Sequence, residues 1–304
     1  MSYLICLAKN LHLKLNQLGF LLNRILEKLN NLSGQVNPKY PVYIISKGRS
    51  EKCLTARELN EMKVPYKIVV EPQEYNDYAS IWGEGNLIRT PFSNLGNGSI
   101  PVRNFVLKLS RDAGDKRHWI LDDNIEGFHR LHLNEKYKVA DGTIFSCIED
   151  FSDRYENIGI SGMNYHSFCK TTDRVPPFYL NTRIYSCILI NNSIPFEWRG
   201  RYNEDTDLSL RVLKSGLCTV LFNAFLCGKV TTMRMKGGNT DEVYGETDNR
   251  LEFAESLREQ HPDVVDVTKK FGRWHHQVNY KPFKRNKLIK KADIKIKDYK
   301  FKLT

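Results

Sequence analysis

The chain has 304 residues, 41% hydrophobic and 11% aromatic, which excludes a disordered protein and suits one large domain or two small ones. Its net charge of +11 is uneven: from Lys281 onward ten Lys and Arg face two Asp, leaving the first 280 residues only three charges in surplus. Seven scattered cysteines without a CxxC pair exclude a disulfide framework and a cysteine zinc site, and fit a reducing cytoplasm.

The first segment, "MSYLICLAKNLHLKLNQLGFLLNRILEKLNN", is rich in leucine but interrupted by Lys9, His12, Lys14, Asn16 and Arg24. It holds no run of about 18 apolar residues, so stable membrane insertion is not expected. Leu18, Leu21, Leu22, Ile25 and Leu29 recur at helical spacing and predict an amphipathic helix within residues 1–38. That helix can pack on the body, on a second copy as a homodimer, or on a membrane surface.

After the polar linker "SGQVNPK", the apolar run Val42–Ile45 predicts a strand buried on both faces, ending in Ser46, Lys47, Gly48 and Arg49. "EKCLTARELNEMKV" predicts a helix, and "YKIVVEPQEY" a second strand ending at Glu71 and Pro72. A Gly, Asn and Ser stretch follows, then a helix from Pro101 to Asp112, then the strand "HWILDD". Strands alternating with helices imply an α/β fold with a mostly parallel sheet and right-handed crossovers. Ligands bind such sheets at the carboxyl ends of the strands, where Ser46–Arg49, Glu71 and Asp122–Asn124 all fall. Further on, "YENIGISGMNYHSFC" and "RIYSCILINNSIPF" read as strands of a smaller mixed sheet. "RYNEDTDLSLRVLKSGL" reads as a helix capped by Asp205 or Thr206 and closed by Gly216. The strand "CTVLFNAFLCGK", a glycine-containing loop and the helix "NRLEFAESLREQHP" complete the body.

Two acidic clusters bear on chemistry. Asp and Asn are ordinary turn residues, so "LDDN" (Leu121–Asn124) can be a turn. Two acids ending a buried strand also suit a hard divalent cation, which binds through one or two carboxylates and substrate phosphates. In "NEDTD" (Asn203–Asp207) the helix dipole favours one acid at the start, but not three in four residues.

Asp123 and Asp205 stand 82 residues apart, and the pattern of a DxD-type strand end followed by an xED helix start resembles glycosyltransferases of the GT-A fold. Within that class, "PVYIISKGR", "VVEPQEY", "VRNFVLKLS", "WILDDN" and "KGGN" resemble the TET-associated glycosyltransferase family, whose phage members are linked to sugar addition on hydroxymethylated pyrimidines in DNA. The resemblance covers roughly residues 40–235 and implies a Rossmann-type GT-A-like fold for a domain placed at 39–280, while the charge count sets off a basic extension over 281–304. It implies Ser46, Lys47, Gly48 and Arg49 at the nucleotide and diphosphate of a UDP-sugar, Glu71 near the base or ribose, and Arg103 and Asn104 at the nucleotide sugar. Asp122, Asp123 and Asn124, with His275 or His276, become candidate ligands of Mn²⁺ or Mg²⁺, although Asn124 replaces the last acid of the motif. If the transfer inverts configuration, which the sequence leaves open, Asp205 becomes the general base, with Glu204 as the alternative. Lys236, in "MKGGNTD", becomes a phosphate contact on a lid.

The resemblance makes hydroxymethylated DNA, such as 5-hydroxymethylcytosine in phage DNA, the acceptor, with protection from nucleases as the outcome. The setting would be the cytoplasm of an infected cell. The residues add support, since Trp274, Tyr280, Phe283, Tyr299 and Phe301 interleave with Lys and Arg near the C-terminus. A surface glycan or lipid-linked acceptor, and a non-catalytic nucleic-acid-binding protein of this fold, are the competing readings. The alternating segment "ADIKIKDYKFKL" can also be a half-buried strand whose lysines reach solvent.

Overall fold

The computed structural model describes residues 36–230, 249–270 and 272–294. Residues 1–35 of the segment expected to hold the N-terminal helix, the loop holding Lys236, and most of "ADIKIKDYKFKL" lie outside the described residues.

The main sheet starts with four parallel strands: β1 (Val42–Ile45), β2 (Lys67–Val70), β3 (Leu87–Arg89) and β4 (Arg117–Asp122). Helices α1 (Leu54–Glu61), α2 (Tyr75–Trp82) and α3 (Ile100–Asp112) connect them in turn. Their spatial order is β3-β2-β1-β4, so the connections run outward from β1 on one side and then jump back to its other side at β4. That reversal between β1 and β4 is a topological switch point, where the diverging loops leave a crevice above the strand ends.

Side chains alternate across this sheet, and two cores follow from the alternation. Val42, Ile44, Trp119 and Leu121 face one side with Ala56 and Leu59 of α1. They share it with Ile144, Phe145 and Ile148 of α4 (Thr143–Asp153). Tyr43, Ile45 and Ile120 face the other side, with Val106 and Leu107 of α3. There they meet Leu208 and Val212 of α5 (Glu204–Lys214).

The later strands extend the same sheet. These are β5 (Ile125–His132), β6 (Glu135–Lys138), β7 (Ile158–Tyr165), β8 (Phe178–Leu180), β9 (Cys187–Asn191) and β10 (Cys218–Lys229). Antiparallel β9 sits between β4 and β7, β10 runs parallel to β7, and the β5–β6 hairpin forms the far edge. The strands read from the second half as a separate mixed sheet therefore share the large one, because their apolar runs are buried by β4 and by each other. A small second sheet does exist, but it is the antiparallel pair β11 (Val265–Lys270) and β12 (Arg273–Val278), packed beside α6 (Arg250–Gln260).

The described part of the basic extension is packed onto the body. Phe283 is buried with Leu210, Leu213, Leu257 and Val265. Asn286 donates to the carbonyls of Leu213 and Leu217, and Asn181 donates to those of Phe283 and Asn286. Phe283 and the half-buried Tyr280 are therefore spent on packing, while Trp274 stays exposed at the hairpin.

His118 lies fully buried on β4 with Nδ1 at 2.6 Å from Asn192 Oδ1, and burial pushes its imidazole down to about 4. The unfolded residue titrates near about 6.5, so on acidification the unfolded chain takes up this proton first. Stability should be full above about pH 6.5 and fall towards pH 4. Between pH 7 and pH 4.5 urea unfolding should lose roughly 2–3 kcal/mol through this residue. His118→Asn, which keeps the bond to Asn192 without the titration, should be less acid-sensitive by that amount. Equal sensitivity in both proteins would refute the assignment.

Candidate active site

The crevice at the switch point is built from two strand ends in register, Ile45 of β1 opposite Asp122 of β4. Asp122 is the last residue of β4 and Asp123 opens the turn after it, and their side chains part company here. Asp123 turns toward the first strand end, accepting from Ser46 Oγ at 2.7 Å and Arg49 Nη1 at 2.6 Å. Tyr78 Oη completes that side, 2.7 Å from Ser46 Oγ and accepting from the Arg49 amide at 3.0 Å. Thr55, in the first turn of α1, holds the turn itself. Its hydroxyl donates to the Asp122 carbonyl at 2.6 Å and accepts the Ile125 amide at 2.9 Å. "LDDN" is thus a turn, as its residue types suggest, and its side chains also carry an ion network.

Asp122 turns toward α3 and β10. Its Oδ1 lies 3.1 Å from Arg103 Nη2 and its Oδ2 2.6 Å from Lys229 Nζ. Burial opposes its charge, but Lys229 and Arg103 outweigh burial and hold the carboxyl well below its ordinary value. The same contact raises Lys229 above the usual ammonium range although burial pulls it down. Burial raises Asp123 in spite of Arg49. Lys229 also donates to Ser186 Oγ at 2.6 Å, and Ser186 Oγ lies 2.6 Å from Tyr165 Oη.

Arg103 joins the two acidic clusters. Its Nε donates to Ser99 Oγ at 3.0 Å and lies 3.3 Å from Glu204 Oε1, while Nη2 holds Asp122. The guanidinium lies over Trp198, 4.6 Å from the ring centroid. Glu204 accepts from Ser99 Oγ as well, at 2.8 Å, and burial with the neighbouring Asp205 charge raises its carboxyl against the pull of Arg103. The helix that carries these acids begins at Glu204, with Asn203 in the left-handed region at φ 54°. Neither Asp205 nor Thr206 is the residue that caps it. Asp205 is half-buried, and among the described residues only Thr206 donates to its carboxylate. Its charge adds to burial in raising Tyr185, and likewise in pushing Tyr280 up to about 12.

Of the residues expected at the site, Ser46, Arg49 and Asp123 are bonded on one side and Arg103, Asp122 and Glu204 on the other, with Asp205 next to Glu204 in the chain. Asn124 is beside them, its Oδ1 buried without a partner among the described residues. Lys47 pairs with Glu71 at 3.4 Å, and the Gly48 amide donates to Glu74 at 2.7 Å, where a φ of 65° suits glycine. Asn104 is turned away. Its amide bonds both ways to the Trp198 backbone, at 2.9 and 2.8 Å, so a direct donor contact does not follow for it. Lys236 lies outside the described residues.

Reading Asp122, Asp123, Asn124 and His275 as one metal-ligand set does not hold among the described residues. All four carboxylate oxygens of the two aspartates already face protein donors. His275 is exposed on β12, and among the described residues no group of three or more His, Cys, Asp or Glu is arranged to hold an ion. These side chains do not fit a divalent cation.

The family model of the TET-associated glycosyltransferases matches residues 40–238, most of the chain and every residue of this network. The chain belongs to that family. It is a glycosyltransferase. Comparison with curated proteins gives no match. Among solved structures, a mannose-1-phosphate geranyltransferase from Thermus thermophilus is similar over 74% of this chain and 67% of its own, at 12% identity and a TM-score of 0.29. That likeness is too slight to carry an argument. Among the described residues no helix of the glycosyltransferase is long and apolar enough to cross a membrane.

Sequence reasoning missed Lys229, Ser186, Tyr78 and Ser99. Lys229 ends β10, which runs in the same direction as β4 and so brings the lysine to the same sheet edge, a pairing that the sequence does not announce. Arg103→Met should leave Asp122 and Glu204 short of their shared partner and cost roughly 3–5 kcal/mol in urea unfolding. Asn104→Ala should cost roughly 1–3 kcal/mol through the Trp198 backbone and keep donor turnover. Loss of turnover in Asn104→Ala, in a protein that melts normally, would return that residue to the site.

Proposed function

We propose that this glycosyltransferase moves a sugar from a nucleotide sugar, a UDP-sugar, to the hydroxymethyl group of a 5-hydroxymethylpyrimidine in DNA, 5-hydroxymethylcytosine being the first acceptor. The observation that carries the reading is the Arg103 bridge, which ties the helix start bearing Asp205 to the strand end bearing Asp122 at the switch-point crevice. The family match supports both halves of the reaction, nucleotide-sugar donor and modified-base acceptor.

The nucleotide lies over the β1 and β4 ends, with Ser46, Gly48 and Arg49 on one side and Arg103 on the other. The acceptor comes from the side of Asp205, beside Tyr185, Tyr280 and Arg183. Asp205 takes the proton from the acceptor hydroxyl as its oxygen forms the new bond to the anomeric carbon. The bond from that carbon to the diphosphate breaks, and its electron pair leaves with the diphosphate. One displacement inverts the configuration. Glu204, held by Ser99 and Arg103, fixes the helix start and leaves Asp205 as the base.

A base within a duplex has to be turned out to reach such a crevice. The β11–β12 hairpin offers a grip on the flanking backbone, since Lys269, Lys270, Arg273 and Trp274 are exposed there and Lys269 lies 5.5 Å from the Trp274 ring centroid.

The test incubates the protein with UDP-sugars and DNA containing 5-hydroxymethylcytosine, following UDP release and reading the nucleosides by mass spectrometry. A hexose or pentose mass on the modified base is expected. Asp205→Asn should lower turnover by roughly 10²–10⁴-fold while leaving salt-sensitive DNA binding in place. UDP release without DNA modification would overturn the acceptor, and full activity of Asp205→Asn would overturn the base.

A further inference from the structure

The acidic strand end is filled with positive charge from the protein itself. Arg49, Arg103 and Lys229 stand against Asp122, Asp123 and Glu204, three cations to three carboxylates. A divalent ion would have to displace these partners, and would then sit within a few ångströms of three like charges with little water between them. Asp122 faces Arg103 and Lys229 while Asp123 faces Ser46 and Arg49, so one ion bound by both would have to displace donors on each side.

Two unsatisfied groups mark where a ligand would meet this cluster. Arg103 Nη1 is buried without a partner among the described residues, on a side chain that is otherwise tied to both acidic clusters. Asn124 Oδ1, on the turn next to Asp122 and Asp123, is also buried without one. A donor on a guanidinium and an acceptor on an amide are what a phosphate oxygen and a sugar hydroxyl would satisfy. Arg103 is 5% exposed and Asn124 9%, so leaving either unpaired is costly and a ligand that pairs them gains accordingly.

We propose that Lys229, with Arg103, supplies the positive charge that meets the donor's diphosphate, and that this glycosyltransferase works without a divalent metal. The proposal rests on the transferase reading above and names how that site handles its leaving group. As the bond from the anomeric carbon to the diphosphate breaks, negative charge grows on the departing oxygen. Lys229 Nζ and the unpaired Nη1 of Arg103 share that charge, both groups being held in place before it develops. Lys229 is already aimed, since Asp122 and Ser186 each hold it at 2.6 Å and the Tyr165 ring lies 5.7 Å away. Asp122 thereby becomes the positioning residue for an ammonium.

The experiment has a turnover arm and two binding arms, all on the full chain. UDP-sugar turnover should be unchanged in excess EDTA and should not rise with added Mn²⁺. Electron paramagnetic resonance should show Mn²⁺ remaining free in the presence of the protein. Calorimetry in EDTA should show UDP binding to the wild type. In Lys229→Met that binding should weaken by roughly 10²-fold, the loss expected for one charge-assisted contact to phosphate. Asp122→Asn combined with Lys229→Met leaves no buried charge unpaired. It should melt like the wild type and still bind UDP weakly, separating loss of function from loss of fold.

Turnover abolished by EDTA and restored by Mn²⁺ or Mg²⁺, bound Mn²⁺ in the spectrum, or failure of the wild type to bind UDP in EDTA would each overturn the proposal. If no UDP-sugar is consumed under any condition, the transferase reading fails separately, and the Mn²⁺ spectrum and UDP calorimetry still decide the role of Lys229.

Discussion

One guanidinium holds the crevice together. Arg103 reaches Asp122 at the end of β4 and Glu204 at the start of α5, and lies over the Trp198 ring between them. No other described contact ties these two acidic clusters directly, although they lie 82 residues apart in the chain. A flat cation with several donors suits this task, because it can grip two carboxylates in one plane while its face rests on an indole. A lysine at that position would reach only one of them at a time.

Burying so many charges is not a route to stability in itself, since taking ions out of water offsets most of what they gain from each other. The arrangement makes more sense as pre-organisation. Arg49, Arg103 and Lys229 are held in place by Asp123, Asp122, Glu204 and Ser186 before any ligand arrives, so little reorganisation remains when negative charge develops on a leaving group. The same reasoning explains why the turn is secured from below by Thr55, whose hydroxyl bonds both the Asp122 carbonyl and the Ile125 amide. A loose turn would let the carboxylates swing out to water and release their cations.

Much of this was legible in the chain because apolar runs announce buried strands and the polar residues that end them announce the sheet edge. Val42–Ile45 leading into Ser46, and "HWIL" leading into Asp122, place both sides of the crevice before any coordinates are known. What was not legible depends on angle and on partner. Arg103 and Asn104 are adjacent in sequence, but about 100° apart around α3, so one enters the crevice and the other binds the Trp198 backbone. Lys229 reads as a solvated strand end, and only the insertion of β9 between β4 and β7 brings the end of β10 to Asp122. Apolar runs such as "CILIN" say that a strand is buried and are silent about which neighbours bury it.

The three acids of "NEDTD" show how one short stretch divides its duties by helical position. Asp207, one turn further in, is fully buried and held by Arg199, Arg211 and His261, the last at 2.8 Å. It anchors α5 to the segment after α6 and faces away from the crevice. Glu204 is held by Ser99 and Arg103, so its position is set by α3. With both neighbours fixed by opposite partners, the helix start has little freedom to rotate. Asp205 is left half-exposed, with Thr206 as its donor among the described residues. A base has to stay available for a proton, so the acid with the fewest protein partners is the one suited to meet the acceptor hydroxyl.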